Sequence, residues 1–500
     1  MFLIFFCALC EEQKIPRKGR KGFLRKAQKD VISSEVEGSE VKGNKNKEHM
    51  SNKAFLLKNA QIINEGRIYP GDLFINGGLI EKIFPGGHGG HFNEERCRVM
   101  DLSGMLLMPG VIDDQVHFRE PGLTHKADID TESRAAVAGG ITSYMEMPNT
   151  LPQTTTQELL EKKFELASQK SLANYSFYIG ATNENHDELL ATDPRHVCGI
   201  KVFMGSSTGN MLVDDPMALA SIFRDARIPV AVHCEDENTI AGNLKAAMTQ
   251  YGKNIPMFMH AAIRNHEACE KSSRLAVTLA EKYDTRLHIL HLSTANEIRM
   301  LDNETPLHKK LITSEVCVHH LWFSSEDYAK KGSFIKWNPA IKHENDRRAL
   351  IKAINEGYID VIATDHAPHT LQEKQKPYTH CPSGGPMVQH ALPAMLTLAS
   401  KHAIGFEKIV ELMCHNPATC FSINNRGFLR EGYAADIVAI DPGKKQTIKK
   451  DNILYKCGWS PLEGITLDYS IAYTFVNGNI VYDKGSVVDA ARGEALTFSR

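Results

Sequence analysis

The sequence predicts an α/β protein: a (β/α)8, TIM-like barrel with a small β-sandwich domain formed by both ends of the chain. Three observations point there. Between residues 111 and 424, eight apolar strand-like runs alternate with helical patterns, the order of a parallel α/β domain. On either side, 54–110 and 425–490 hold short alternating segments and hairpin turn signals. Metal-capable polar residues close several of the central runs, and the C-terminal strand ends are where barrel enzymes place their chemistry.

Residues 1–50 stand apart. Met1–Leu9 is apolar, but no basic residue precedes it and it is too short to span a bilayer. Arg17–Lys29 is a basic run, and Ser33–Lys47 is rich in Ser, Gly, Glu and Lys. Such a composition buries too little apolar surface to order itself. The segment reads as a disordered tail, an upstream mis-start ahead of Met50 fitting better than a cleaved signal peptide. Its Cys7-x-x-Cys10 has no second pair, which argues against a zinc or redox role.

From 54 onward, Phe55-Leu56-Leu57, Gln61-Ile62-Ile63, Asp72–Ile75 and Leu79–Ile83 read as strands, with Asn76-Gly77-Gly78 as a hairpin turn. The eight central strands end near His117, Met147, Gly180, Phe203, His233, His291, Val318 and Thr364. Helical patterns between them include Thr156–Gln169, Met217–Ala226, Glu267–Lys282 and Asp346–Glu356. Thr370–Gly385, rich in Lys, Gln and Pro, reads as a mobile loop able to cover a substrate. Beyond 424, Ala435–Asp441, Ala472–Val476 and Asn479–Tyr482 are strands again, with Asn477-Gly478 as the second hairpin turn.

Composition narrows the function classes. A chain of 500 residues, 42% of them hydrophobic, can bury one large core and a smaller one. A formal net charge of -2 gives no general attraction to nucleic acid or to a membrane surface, so neither is an expected partner. Apart from the tail pair the cysteines are scattered singly, which reads as reduced thiols in a cytoplasmic protein.

The chemistry gathers at strand ends. In Asp113-Asp114-Gln115-Val116-His117-Phe118-Arg119, an imidazole and a guanidinium stand side by side where a strand opens into a loop. Lys201 lies in Gly199–Met204, His233 in Val230–Glu235 and His291 in His288–Ser293, while Asp365 opens Asp365-His366-Ala367-Pro368-His369. One histidine at a strand end is ordinarily a hydrogen-bonded core or surface residue. Five such positions in barrel order make a metal site. Lys201 sits inside Ile-Lys-Val-Phe-Met and is expected to be buried, where an isolated ammonium is costly. It either pairs with a carboxylate of a neighbouring strand or, with a depressed pKa, reacts with CO2 to give a carbamate bridging two metals.

Together these residues resemble those of the dihydroorotases, cyclic amidohydrolases of the metal-dependent hydrolase superfamily, over residues 54 to 490. The resemblance implies one or two Zn2+ ions per subunit. His117 would bind the first, the Lys201 carbamate both, and His233 and His291 the second. Asp365 would bind the first and act as general base and then acid. The implied reaction is the reversible hydrolysis of (S)-dihydroorotate to N-carbamoyl-L-aspartate in pyrimidine synthesis. Arg119, Asn149 and His369 match the family's carboxylate contacts, and Asn338 matches its ring contact. A guanidinium suits a carboxylate because it donates in a fixed fork. The family commonly forms homodimers and includes members associated with aspartate transcarbamoylase.

Two departures from the family pattern stand out. Gln115 occupies the place of a usual histidine, and Pro386-Met387-Val388-Gln389-His390 replaces a usual Gly-Leu-Glu-Thr stretch. An amide oxygen is a weaker zinc ligand than an imidazole nitrogen. Gln115 could coordinate through that oxygen, leave the first metal weakly held, or leave the site mononuclear. The alternatives are a hydantoinase, dihydropyrimidinase or allantoinase type of enzyme, which lacks the arginine–asparagine pair, and a metal-free scaffold protein.

Overall fold

The computed structural model describes residues 54–87, 97–205 and 211–500; the 1–50 tail, with Cys7 and Cys10, lies outside the described residues. The chain enters through an antiparallel meander, β1 (Phe55–Asn64), β2 (Arg67–Asn76) and β3 (Leu79–Pro85). Gly77 and Gly78 turn it at φ of 58° and 90°, the left-handed geometry that a two-residue hairpin turn demands. β4 (Arg98–Asp101) and β5 (Leu106–Pro109) then lie parallel to β1.

The next eight strands form the barrel in sequence order, all neighbours parallel. They are β6 (Val111–Val116), β7 (Ile141–Glu146), β8 (Asn174–Gly180), β9 (Gly199–Phe203), β10 (Val230–His233), β11 (Leu287–Ile289), β12 (Ile312–Cys317) and β13 (Val361–Ala363). Each ends where the sequence placed a strand end. Closure between last and first is polar. The Asp113 carboxylate on β6 accepts Thr364 Oγ1 at 2.6 Å and Thr364 N at 3.2 Å, and His117 N donates to His366 O at 2.7 Å. These bonds fix β6 against the residues following β13 and so set His117 beside Asp365.

Helices cover the outside. Asp128, Thr156, Asp215, Asp236 and Asn265 cap the helices Ile129–Ala138, Gln157–Lys170, Pro216–Asp225, Glu237–Tyr251 and His266–Tyr283, each accepting a first-turn N–H. Their apolar faces pack on the strands in one large core running from Val111 and Val116 to Leu392 and Met395. Among the described residues no helix is long and apolar enough to cross a membrane.

After the barrel, β14 (Ile437–Asp441) returns to pair antiparallel with β5, Leu107 opposite Ala439. β15 (Gln446–Thr447) and β16 (Thr466–Leu467) form a separate two-stranded ribbon. β17 (Ser470–Val476), β18 (Asn479–Asp483) and β19 (Ser486–Val487) complete a nine-stranded sheet shared by both ends of the chain. A second core, with Leu57, Ile62, Leu73, Leu107, Ile437 and Phe475, belongs to this sheet. Residues 493–500 run back under the barrel, where Arg500 donates to the carbonyls of Val197, Cys198 and Phe421.

Candidate active site

Gln115, His117, Arg119, Asn149, Lys201, His233, His291, Asn338, Asp365 and His369 all line one cavity of about 410 Å³ at the C-terminal ends of the barrel strands. That volume suits a small ring compound. Asn338 comes from the long, partly helical connection between β12 and β13; every other side chain projects from the end of a barrel strand or the loop just after it, the common logic of the fold.

Two pairs of donors face each other across this space. His117 Nδ1 lies 2.6 Å from Asn149 Oδ1, so its ring proton belongs there and its bare Nε2 confronts Asp365 Oδ1 at 3.2 Å. His233 Nε2 lies 3.0 Å from the Glu235 carboxylate, which leaves Nδ1 bare, 3.0 Å from His291 Nε2. His291 Nδ1 is buried without a hydrogen-bond partner. The first meeting is satisfied only by a proton on Asp365 and the second only by a proton on His291 Nε2, and a cation at either place would take that proton's part. Burial holds the pKa of His117 and of His291 well below the ordinary range and lowers that of His233, so all three rings offer the neutral form that binds metals. The donor set fits a metal centre.

Lys201 is fully buried on β9, its Nζ 4.7 Å from the centre of the Phe203 ring. Burial lowers its pKa to about 7 against the opposing pull of Glu315 and Asp365. Near pH 7 a sizeable fraction of the amine is therefore unprotonated, the form that reacts with CO2. Asp365 moves the other way: burial pushes it up to about 7, with Lys201, His233 and Arg119 opposing. Such a carboxyl group is poised to take and return a proton at neutral pH.

Gln115 turns its amide nitrogen to Asp365 Oδ1, at 3.4 Å, and its oxygen to the Cys317 thiol, at 3.7 Å. The oxygen that could have served as a ligand is thus directed at the end of β12, two strands round the barrel. Asn149, matched on sequence to a carboxylate contact, here also orients His117. Asn338 Oδ1 is buried with no hydrogen-bond partner, beside Trp337, whose Nε1 donates to Asp365 O at 3.2 Å. Arg119 is buried; its Nε donates to Pro368 O at 3.1 Å, and burial lowers its pKa only to about 10, so it stays charged.

Other residues at the site escape sequence reasoning. Arg264 and Glu237 line the cavity, and Arg264 pairs with the same Glu235 oxygen that holds His233. Arg264 comes from a helical connection after β10, with no strand-end signal to mark it. The 370–385 segment, read from its composition as a mobile loop, supplies cavity wall through Pro382, Ser383 and Gly384. It wraps two buried lysine amino groups. Lys374 donates to Pro382 O and Gly384 O at 3.0 and 2.8 Å, and Lys336 to Tyr378 O and Cys381 O at 2.9 and 2.5 Å. Beneath the cavity a second buried group joins Asp114, His288 and Glu315. His288 Nε2 is 3.1 Å from Asp114 and 3.8 Å from Glu315, whose other oxygen accepts the His291 N–H at 3.0 Å. The altered Met387–His390 stretch packs behind Asp365: Met387 N donates to His366 Nδ1 at 2.9 Å, and His366 pairs with buried Glu132 at 2.8 Å.

Comparison with known proteins agrees with this geometry. The amidohydrolase family model matches residues 106–481. A dihydroorotase of Methanosarcina acetivorans is 33% identical over 458 residues, covering 89% of this chain and 95% of that protein. One of Bacillus cytotoxicus is 33% identical over 440 residues, covering 87% and 99%. Among solved structures, the L-hydantoinase (dihydropyrimidinase) of Arthrobacter aurescens superposes with a TM-score of 0.81 at 25% identity, covering 89% of this chain and 99% of that one. Near end-to-end likeness in sequence, together with the barrel, leads to one conclusion: the chain belongs to the amidohydrolase family and, within it, groups with the dihydroorotases.

Proposed function

We propose that this chain is a zinc-dependent cyclic amidohydrolase that interconverts (S)-dihydroorotate and N-carbamoyl-L-aspartate in pyrimidine synthesis. The observation that carries the reading is Arg119, a buried, charged guanidinium lining the same cavity as the two donor pairs. A ring amide with a carboxylate beside it answers both: the carboxylate meets the fork and the amide carbonyl meets the donors.

His117, Asp365 and Lys201 as its carbamate would hold one ion, and Lys201, His233 and His291 the other. The turn of the Gln115 oxygen towards Cys317 favours a first ion held without it. Bound zinc supplies Lewis-acid polarisation of the amide carbonyl and acidifies water. Asp365 takes the proton of the attacking water and returns it to the ring nitrogen as the C–N bond breaks. Asn338, with its unsatisfied oxygen, is the candidate partner for a ring N–H. The nine cysteines of the described residues are free thiols, which suits a cytoplasmic location.

Assays of ring opening and closure with metal-replete protein test this. Arg119→Met should lower kcat/KM for dihydroorotate by about 100-fold or more, the usual consequence of removing one partner of a buried charge pair. Comparable turnover of carboxylate-free rings by wild type and variant would instead favour the hydantoinase alternative. Metal-replete protein inert toward dihydroorotate would sink the proposal, and a metal-free protein with unmodified Lys201 by intact mass would favour a scaffold.

A further inference from the structure

Lys126, in the loop after β6, is not among the cavity-lining residues, yet it touches His369, which is. Its Nζ lies 3.1 Å from His369 Nδ1 and 3.0 Å from Glu373 Oε1. Burial lowers the pKa of the amine and the Glu373 carboxylate opposes that shift, the two meeting as an ion pair in which the amine donates. An ammonium can only donate, so His369 Nδ1 must present its lone pair. Burial, reinforced by Arg119 and Lys126, holds the His369 pKa well below the ordinary range, and a neutral ring carries a single N–H.

That proton therefore sits on Nε2, where two groups compete: Ser383 O at 3.0 Å and Arg119 Nη2 at 3.2 Å. A carbonyl only accepts and a guanidinium only donates. The Nε2–H goes to Ser383, and the ring cannot absorb a hydrogen from Arg119. The opposite tautomer would reverse every contact. Its bare Nε2 would cap Arg119, its Nδ1–H would oppose an ammonium, and Ser383 in the cavity wall would lose its donor.

We propose that Lys126 is a specificity-determining positioning residue, which by donating to His369 Nδ1 keeps the His369 Nε2–H on the Ser383 carbonyl of the cavity wall and leaves the Arg119 fork uncapped for a ligand carboxylate. This rests on the reading of the cavity as a site for a carboxylate-bearing cyclic amide. Lys126→Met should raise KM for dihydroorotate about tenfold with kcat within about threefold, and Lys126→Arg, which keeps a donor, should restore KM. In 15N-histidine NMR, with His369 assigned by its loss in His369→Gln, wild type and Lys126→Arg should show protonated Nε2 and bare Nδ1. Lys126→Met should show a shifted tautomer population. A wild-type ring protonated at Nδ1 overturns the proposal whatever the substrate, and so does an unchanged KM in Lys126→Met. Absence of dihydroorotate turnover by wild type would count against the functional reading instead, and the ring spectrum would still decide the role of Lys126.

Discussion

Arg119, His291 and Asp365 share a property that their chemistry does not require: each is a non-glycine residue in the left-handed backbone region, at φ of 69°, 39° and 43°. Such geometry costs roughly 1 kcal/mol or more per residue. Each is held there by a bond already described: Arg119 to Pro368 O, the His291 N–H to Glu315, and Asp365 O from Trp337. The bend turns each side chain out of the strand direction and into the cavity. Asp365→Asn tests the proton role when metal content is measured alongside, since Asp365 would also hold an ion; asparagine tolerates this backbone and keeps the shape. It should reduce kcat in both directions by about 1,000-fold while the thermal melt stays nearly unchanged. A variant with substantial kcat would remove Asp365 from the proton path.

At the scale of elements, the loops after β6 and β7 are mutually fitted. Gly122 has φ of +83°, and a Cβ there would stand 1.9 Å from Leu151 O. Because Arg119 and Asn149 sit on these two loops, Gly122→Ala should destabilise the protein by about 2 kcal/mol or more and raise KM for dihydroorotate. Urea titration and steady-state kinetics would show both; a variant as stable as wild type would mean the loops part easily. The barrel strands and their reactive ends were legible in the sequence because parallel strands are apolar throughout, so a polar residue in one is conspicuous. Lys201 is the clearest case. Lys374 was not legible, since a run rich in Lys and Gln looks solvated until folding supplies carbonyl acceptors, and the burial of Lys336 depends on carbonyls of that same run. Nor were Arg264 and Lys126, whose roles depend on partners from distant parts of the chain.

Across the whole molecule, the barrel interior is polar as well as apolar, and its ion cluster should report on pH. Burial alone would lower the His288 pKa, but Asp114 and Glu315 outweigh it and hold it at about 9. A folded-state pKa above the ordinary 6.5 means that protonated His288 stabilises fully below about pH 6.5, and that this contribution fades as pH rises towards 9. The gap in urea midpoint between wild type and His288→Gln should therefore be widest near pH 6.5 and shrink by pH 9. A gap independent of pH would mean His288 does not carry that charge.

The nine-stranded sheet draws its strands from opposite ends of the chain, and Asn64 Nδ2 reaches Leu429 O across 365 positions of sequence at 2.9 Å. During synthesis, β5 leaves the ribosome long before β14 exists to cover its free edge. For that interval the first strands form an unfinished sheet with apolar residues such as Leu57 and Leu73 lacking their final cover, the kind of surface that nascent chains aggregate through. The barrel must then assemble while tethered to this incomplete partner. Emergence of β14 and β17, rather than completion of the barrel, becomes the moment at which the sheet can first close.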